Sequence, residues 1–283
     1  MEINALDYVF PIVSIGVAQD DRPLSGIREV LGTAFALDAG LFMTAAHVAY
    51  SSPREGALAL AFMESDRWFP MLLRNVEVFP RHDIAIVEAT VLPTPLFRWR
   101  FDEMRILDRV LTVGYPFAMD TEHQRISLRA FRGEVVGVAP LSLSGNTTSV
   151  YELGFQCPRG LSGAPLLYAE DGYFEVVGVV VGNKTTGISV FRDRETLTEQ
   201  RGGVPYQVEK VYERFDAMHL GAAVTSRETA GLEAARLGGT LEDFMKRRGL
   251  APGSQEFHRS ASALSPAVRR DEDPGARGGD GRG

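Results

Sequence analysis

Through roughly the first 210 residues the apolar positions come in short bursts that polar and turn residues cut off. "YVFPIVSIGV", "GTAFAL", "GLFMTAAHV", "ALALAFM", "DIAIVEA", "DRVLTVGY", "RGEVVGVAP", "TSVYELGF", "GAPLLYA" and "FEVVGVVVG" are rich in Val, Ile, Phe and Tyr, and most are bounded by Gly, Pro, Asp or Asn. β-branched and aromatic side chains fit a pleated, half-buried surface. Runs of this length between turn residues predict strands. Asp171-Gly172 between two apolar runs predicts a hairpin. No long helical period interrupts the series, so the pattern predicts an all-β sandwich or barrel. "VLPTPLFRWRFDEMRIL", residues 91 to 107, carries two prolines and mixed charge and reads as the connection between a first β unit and a second.

The pattern changes after about Pro205. "QVEKVYERFDAMH" has the spacing of a short amphipathic helix, and "SRETAGLEAARLGGTLEDFMKRRGL" also favours helix, broken at Gly238-Gly239. Thr240 followed by Glu242 and Asp243 predicts a capped helix start. From Pro252 to Gly283 there are six Gly, three Pro, five Arg and five acids, with only Phe257, Leu264 and Val268 as large apolar residues. Such a segment cannot bury enough surface to offset its ordering entropy, and is expected to be a disordered tail.

Composition narrows the function. The chain has 283 residues, 45% hydrophobic and 24% charged, enough for a sizeable core. A net charge of -7 without a long basic run gives no electrostatic reason to bind nucleic acid. Cys157 is the one cysteine, so no internal disulfide can form and a reducing compartment is expected. No positive segment precedes the first apolar run, and no apolar run reaches membrane-spanning length; a cytoplasmic protein is expected.

Three segments then carry chemistry. "MTAAHVAY" holds His47, "RHDIAIVEA" holds Asp83, and "CPRGLSGAPLL" holds Ser162, with gaps of 36 residues (83 minus 47) and 79 residues (162 minus 83). A lone serine between glycines is a turn residue unless a base and an oxyanion site lie beside it. In this order the segments resemble those of the chymotrypsin/trypsin-like serine protease superfamily, especially bacterial single-chain members: "TAAH" its histidine motif, "DIA" its aspartate motif, and G-x-S-G-x-P its serine motif. "VLTVGYPF" and "RGEVVGV" are similar to the opening strands of that family's second barrel. The resemblance spans roughly residues 8 to 190.

The resemblance implies two antiparallel β-barrels of the chymotrypsin-like type, to which the residue pattern adds short C-terminal helices and the tail. An N-terminal barrel over 1–100 would carry His47 and Asp83, and a second over 101–220 would carry Ser162. A helical extension over 221–251 and the tail from 252 would follow and offer a surface for a regulatory protein. The implied roles are His47 as general base, Asp83 as its orienting partner, Ser162 as nucleophile, and the N–H groups of Gly160 and Ser162 as the oxyanion hole. Asp66 is a local rival to Asp83, and His82, His123, His219 and His258 read as ordinary surface residues without metal-ligand spacing.

The family's primary pocket would fall at Gln156 and Cys157 and at Val181, Gly182 and Asn183. Gln156 and Asn183 either read a small or polar substrate side chain or satisfy local backbone. Cys157 reads as a small buried hydrophobe. Leu161 stands where digestive relatives carry the aspartate that captures a freed N-terminus, so that mode of activation is not expected. The expected function is a serine endopeptidase acting on protein or peptide, without metal or cofactor. The alternatives are a protease-fold binding protein without turnover and a serine hydrolase acting on esters.

Overall fold

In this computed structural model the described residues are 8–16, 26–51, 56–64, 67–90, 96–117, 119–120, 125–143, 145–170, 173–202 and 204–252. The tail beyond Pro252, Asp66, His123, His258 and the Asp171-Gly172 pair lie outside them. The first half of the chain gives β1 (Val9–Ile15), β2 (Ile27–Asp38), β3 (Leu41–Ala45), α1 (Ala46–Ala49), β4 (Ala57–Glu64), β5 (Arg67–Leu72), β6 (Arg74–Phe79) and β7 (Ile84–Glu88). These strands form one seven-stranded sheet in the order β5-β4-β1-β2-β3-β7-β6. The apolar runs read in the sequence are its inner strands; in β1 all residues but Ile15 are buried, because this strand is covered on both faces.

The second half supplies β8 (Arg98–Trp99), β9 (Arg109–Gly114), β10 (Met119–Asp120), β11 (Arg125–Ile126), β12 (Arg129–Leu143), β13 (Asn146–Leu153), β14 (Pro165–Glu170), β15 (Tyr173–Arg201) and β16 (Val204–Thr225). Then come α2 (Ser226–Thr229), β17 (Glu233–Ala234), β18 (Gly239–Thr240) and α3 (Leu241–Arg247). The order β14-β9-β12-β13-β16-β15, together with a β14–β15 ladder, closes six antiparallel strands into a ring. The architecture is all-β and chymotrypsin-like. No helix among the described residues is long and apolar enough to cross a membrane.

Three sequence expectations are corrected. The segment read as helix from Ser226 to Gly238 is helical only over α2; beyond Thr229 it is turns and the short β17–β18 pair. Residues 207–219 are strand, not helix: β16 pairs with β15 from Gly178↔Thr225 out to Arg201↔Val204. Val208, Val211 and Tyr212 sit at helical spacing, but they are strand-favouring side chains with a partner strand waiting across a Gly-Gly pair, and tertiary pairing overrides the period. The outer part of this hairpin projects from the barrel as an exposed two-stranded arm. His82, read as a surface residue, is buried, with its Nδ1 2.9 Å from Thr148 Oγ1 across the two halves of the chain.

The core joins both sheets. Phe35 of β2 packs on Trp99 of β8 with ring centroids 6.0 Å apart. Leu241, Phe244 and Met245 of α3 enter the same cluster. Thr240 caps α3, its hydroxyl accepting from the Asp243 N–H at 3.1 Å. The C-terminal segment therefore docks on the barrels, and Trp99 N–H donates to the Leu250 carbonyl at 2.7 Å.

Candidate active site

Asp83 ends a tight turn from Pro80, in which His82 N–H donates to the Phe79 carbonyl at 3.0 Å. Its φ of 53° is the left-handed region, which aspartate tolerates better than branched side chains. That conformation aims the residue at the start of α1. The Asp83 carbonyl accepts from Ala46 N–H at 2.8 Å, and Oδ1 accepts from His47 N–H at 2.9 Å. Two donors that a helix start leaves unpaired are thereby satisfied by one residue. The second carboxylate oxygen is then placed 2.6 Å from His47 Nδ1. A carboxylate at this distance fixes the tautomer with hydrogen on Nδ1 and leaves Nε2 as the free lone pair. The His47 side chain is about half exposed and Asp83 is mostly covered.

The serine loop is two consecutive turns. Leu161 N–H donates to the Pro158 carbonyl and Ala164 N–H to the Leu161 carbonyl, each at 3.0 Å. The third residue of each turn is a glycine with positive φ, Gly160 at 95° and Gly163 at 86°, the signature of a type II turn. Side chains are excluded by space as well: a Cβ on Gly160 would lie 2.5 Å from the Tyr115 carbonyl oxygen, and one on Gly163 2.1 Å from that of Thr33. The same Gly163 position is 2.9 Å from Ala45 N, so the loop lies against the strand end that leads into His47.

The turns also orient the amides. The Arg159 carbonyl accepts from Phe117 N–H at 3.1 Å, and the Leu161 carbonyl from Ala164. Because C=O and N–H point oppositely in a trans peptide, the Gly160 and Ser162 N–H groups face away from those partners. Neither donates a hydrogen bond among the described residues.

Thr33, which the sequence reading missed, ties the loop to the first sheet. Its N–H donates to the Ser162 carbonyl at 2.8 Å and its hydroxyl to the Gly160 carbonyl at 2.8 Å. The same hydroxyl accepts from Tyr115 N–H at 3.0 Å, and the Thr33 carbonyl accepts from the Thr44 hydroxyl at 2.7 Å. Thr33 and Thr44 are wholly buried. Leu161 is also wholly buried, packed with Cys157, Ala164 and Val180.

The sequence-proposed pocket residues separate. Asn183 is engaged with backbone: its Oδ1 accepts from Cys157 N–H at 2.7 Å and its Nδ2 donates to the Cys157 carbonyl at 2.8 Å. Cys157 is buried, and burial pushes its thiol up to about 12. Gln156 is exposed, and Gly182 has a φ of 140°. Val181 lines a cleft of about 500 Å³ that His47 and Asp83 also line, with Val78 and Pro80 on its wall.

Residues 32–179, slightly more than half of the chain, match the family described as the trypsin-like peptidase domain. No curated protein matches the sequence. Among solved structures, the active form of the Rv3671c protease from M. tuberculosis is similar at 22% identity and a TM-score of 0.51, covering 83% of this chain and 82% of that one. The MamO protease domain from Magnetospirillum magneticum is similar at 15% identity and a TM-score of 0.51, over 78% and 93% of the two chains. The HtrA-type protease AlgW with a decapeptide is similar at 16% identity and a TM-score of 0.51, over 78% and 62%. At these identities the likeness is one of fold, and the sequence match goes further: the chain belongs to the trypsin-like peptidase domain family.

Proposed function

We propose that the chain is a serine endopeptidase working through His47, Asp83 and Ser162. The observation that carries this reading is the His47 Nδ1–Asp83 Oδ2 contact of 2.6 Å beside the loop that presents Ser162. In the proposed reaction Ser162 Oγ attacks the substrate carbonyl carbon while His47 Nε2 takes the hydroxyl proton. The carbonyl oxygen becomes an oxyanion and accepts from the Gly160 and Ser162 N–H groups. Asp83 holds the imidazolium in register. Collapse breaks the C–N bond as His47 passes its proton to the leaving amine, leaving an acyl ester on Ser162. Water, deprotonated by His47, repeats the sequence, releases the acid and restores the serine.

Asn183 is committed to Cys157, and Val78, Pro80 and Val181 border the cleft, which supports small or apolar substrate side chains over Lys or Arg. The test is Ser162→Ala. Cleavage of an unfolded protein substrate is expected to fall about a millionfold in turnover with the melting temperature unchanged. Near-normal proteolysis by the pure variant would refute the assignment, and turnover of activated esters without any cleavage of protein would point to an esterase.

A further inference from the structure

We propose that the β15–β16 arm is a self-association device, and that its occupant is the same arm of a second copy of this chain. From Phe191↔Arg214 to Arg201↔Val204 the register is unbroken, so directly opposite residues share a face. One face collects Phe191, Leu197, Val204, Tyr206, Val208 and Tyr212; the other is polar apart from Val211 and Pro205. On the apolar face Phe191 is 53% exposed, Val204 66%, Tyr206 41% and Tyr212 49%, so the barrel does not cover it. A lone two-stranded ribbon is marginally stable in water, and a packed apolar face is what stabilises one.

The charges select a second copy over a partner of one strong sign. Residues 191–214 carry five basic and five acidic residues. On the apolar face β15 contributes Asp193, Glu195 and Glu199, with Arg201 at its turn end, whereas β16 contributes Lys210 and Arg214; Glu199 already meets Lys210 and Tyr206 within the arm, so Asp193 and Glu195 carry the excess acid of β15. This face is complementary to itself when β15 of one copy lies over β16 of the other. Eleven strand pairs give a face about 35 Å long and about 10 Å wide. That buries on the order of 800 to 1,000 Å² in total, the low end for a specific interface, so the dimer is expected to be weak and concentration-dependent, with a Kd of roughly 1 to 100 μM.

Sedimentation velocity of the full chain across that concentration range tests this. The expected result is a monomer converting to a dimer. Phe191→Asp with Tyr212→Lys places each new charge opposite its complement, Arg214 and Asp193, so strand pairing is kept while the face turns polar. This variant is expected to stay monomeric at the highest concentration, with at least a tenfold weaker Kd. Val211→Asp, on the other face and opposite Arg194, is expected to dimerise as the parent does. A chain with 190–215 replaced by a Gly-Gly turn should be monomeric with its barrels folded. A parent that is monomeric throughout overturns the proposal, as does dimerisation undiminished in the Phe191→Asp/Tyr212→Lys variant or in the shortened chain.

Discussion

The Thr33 hydroxyl donates to the Gly160 carbonyl and accepts from Tyr115 N–H, and the side chain is wholly buried. Thr33→Val keeps the shape and leaves both backbone partners unpaired, a cost of roughly 1 to 3 kcal/mol for each buried group. The melting temperature is expected to fall by several degrees, and proteolysis measured well below it to fall at least tenfold, because the proposed oxyanion loop loses its anchor. An unchanged rate in the folded variant would show that the turns hold themselves. Cys157 offers a simpler check. Burial raises its thiol to about 12, so almost no thiolate forms near neutrality. Native protein is expected to resist a thiol reagent at about pH 8 and to react once unfolded; rapid native labelling would contradict the buried placement. His82 sets a pH dependence. Burial lowers its pKa below its ordinary 6.5, against a smaller opposing effect of Glu228. The unfolded chain therefore binds a proton before the native one does as pH falls, and stability declines from 6.5 downward through the lowered value. His82→Asn should flatten that decline in denaturant midpoint.

At the scale of elements, the two turns from Pro158 to Ala164 explain why the sequence reads G-x-S-G: each glycine fills the one turn position that demands a positive φ. Gly160→Ala puts a methyl 2.5 Å from the Tyr115 carbonyl oxygen, so the turn must move and carry its amide with it. Loss of one oxyanion donor costs roughly 100-fold or more in turnover, with KM little changed, and a smaller effect would argue that the Gly160 N–H is not a donor. This much was legible because turn chemistry is local. The apolar runs of the inner strands were legible for the same reason. Thr33 was not, since its partners lie 82 and 127 positions away and a threonine before "AF" looks like any strand residue. The arm was misread because an amphipathic ribbon and an amphipathic helix can share apolar positions over a short window, and only the pairing with β15 decides between them.

At the scale of the molecule, the proposed catalytic groups come from two halves of the chain, so their geometry depends on how the two sheets are held together. His47 lies in α1 directly after β3 and Asp83 in the turn directly before β7, both strands of the first sheet, and Ser162 precedes β14 of the second. The C-terminal segment bridges them. It pairs Leu250 with Trp99 at the start of the second sheet, and Ala235 N–H donates to the Glu77 carboxylate of β6 at 3.0 Å. Arg236 and Arg248 meet Glu88 and Asp38 of the first sheet. Leu241, Phe244 and Met245 are buried in the core shared by both. Surface ion pairs of this kind contribute little, whereas each buried side chain contributes about 1.5 to 3 kcal/mol. Phe244→Ala is therefore expected to cost about 3 kcal/mol in urea unfolding, and removal of residues 231–283 considerably more. The shortened chain should also lose reaction with a serine-directed phosphonate at temperatures where the full chain reacts, since the sheets are no longer clamped. The full chain, with wholly buried Leu161 packing the loop in place of an ion pair, should react without trimming of its N-terminus. Labelling that appears only after trimming ahead of Ile12 would show that a freed terminus orders the loop. Full labelling of the 1–230 chain would show that the barrels align without the C-terminal clamp.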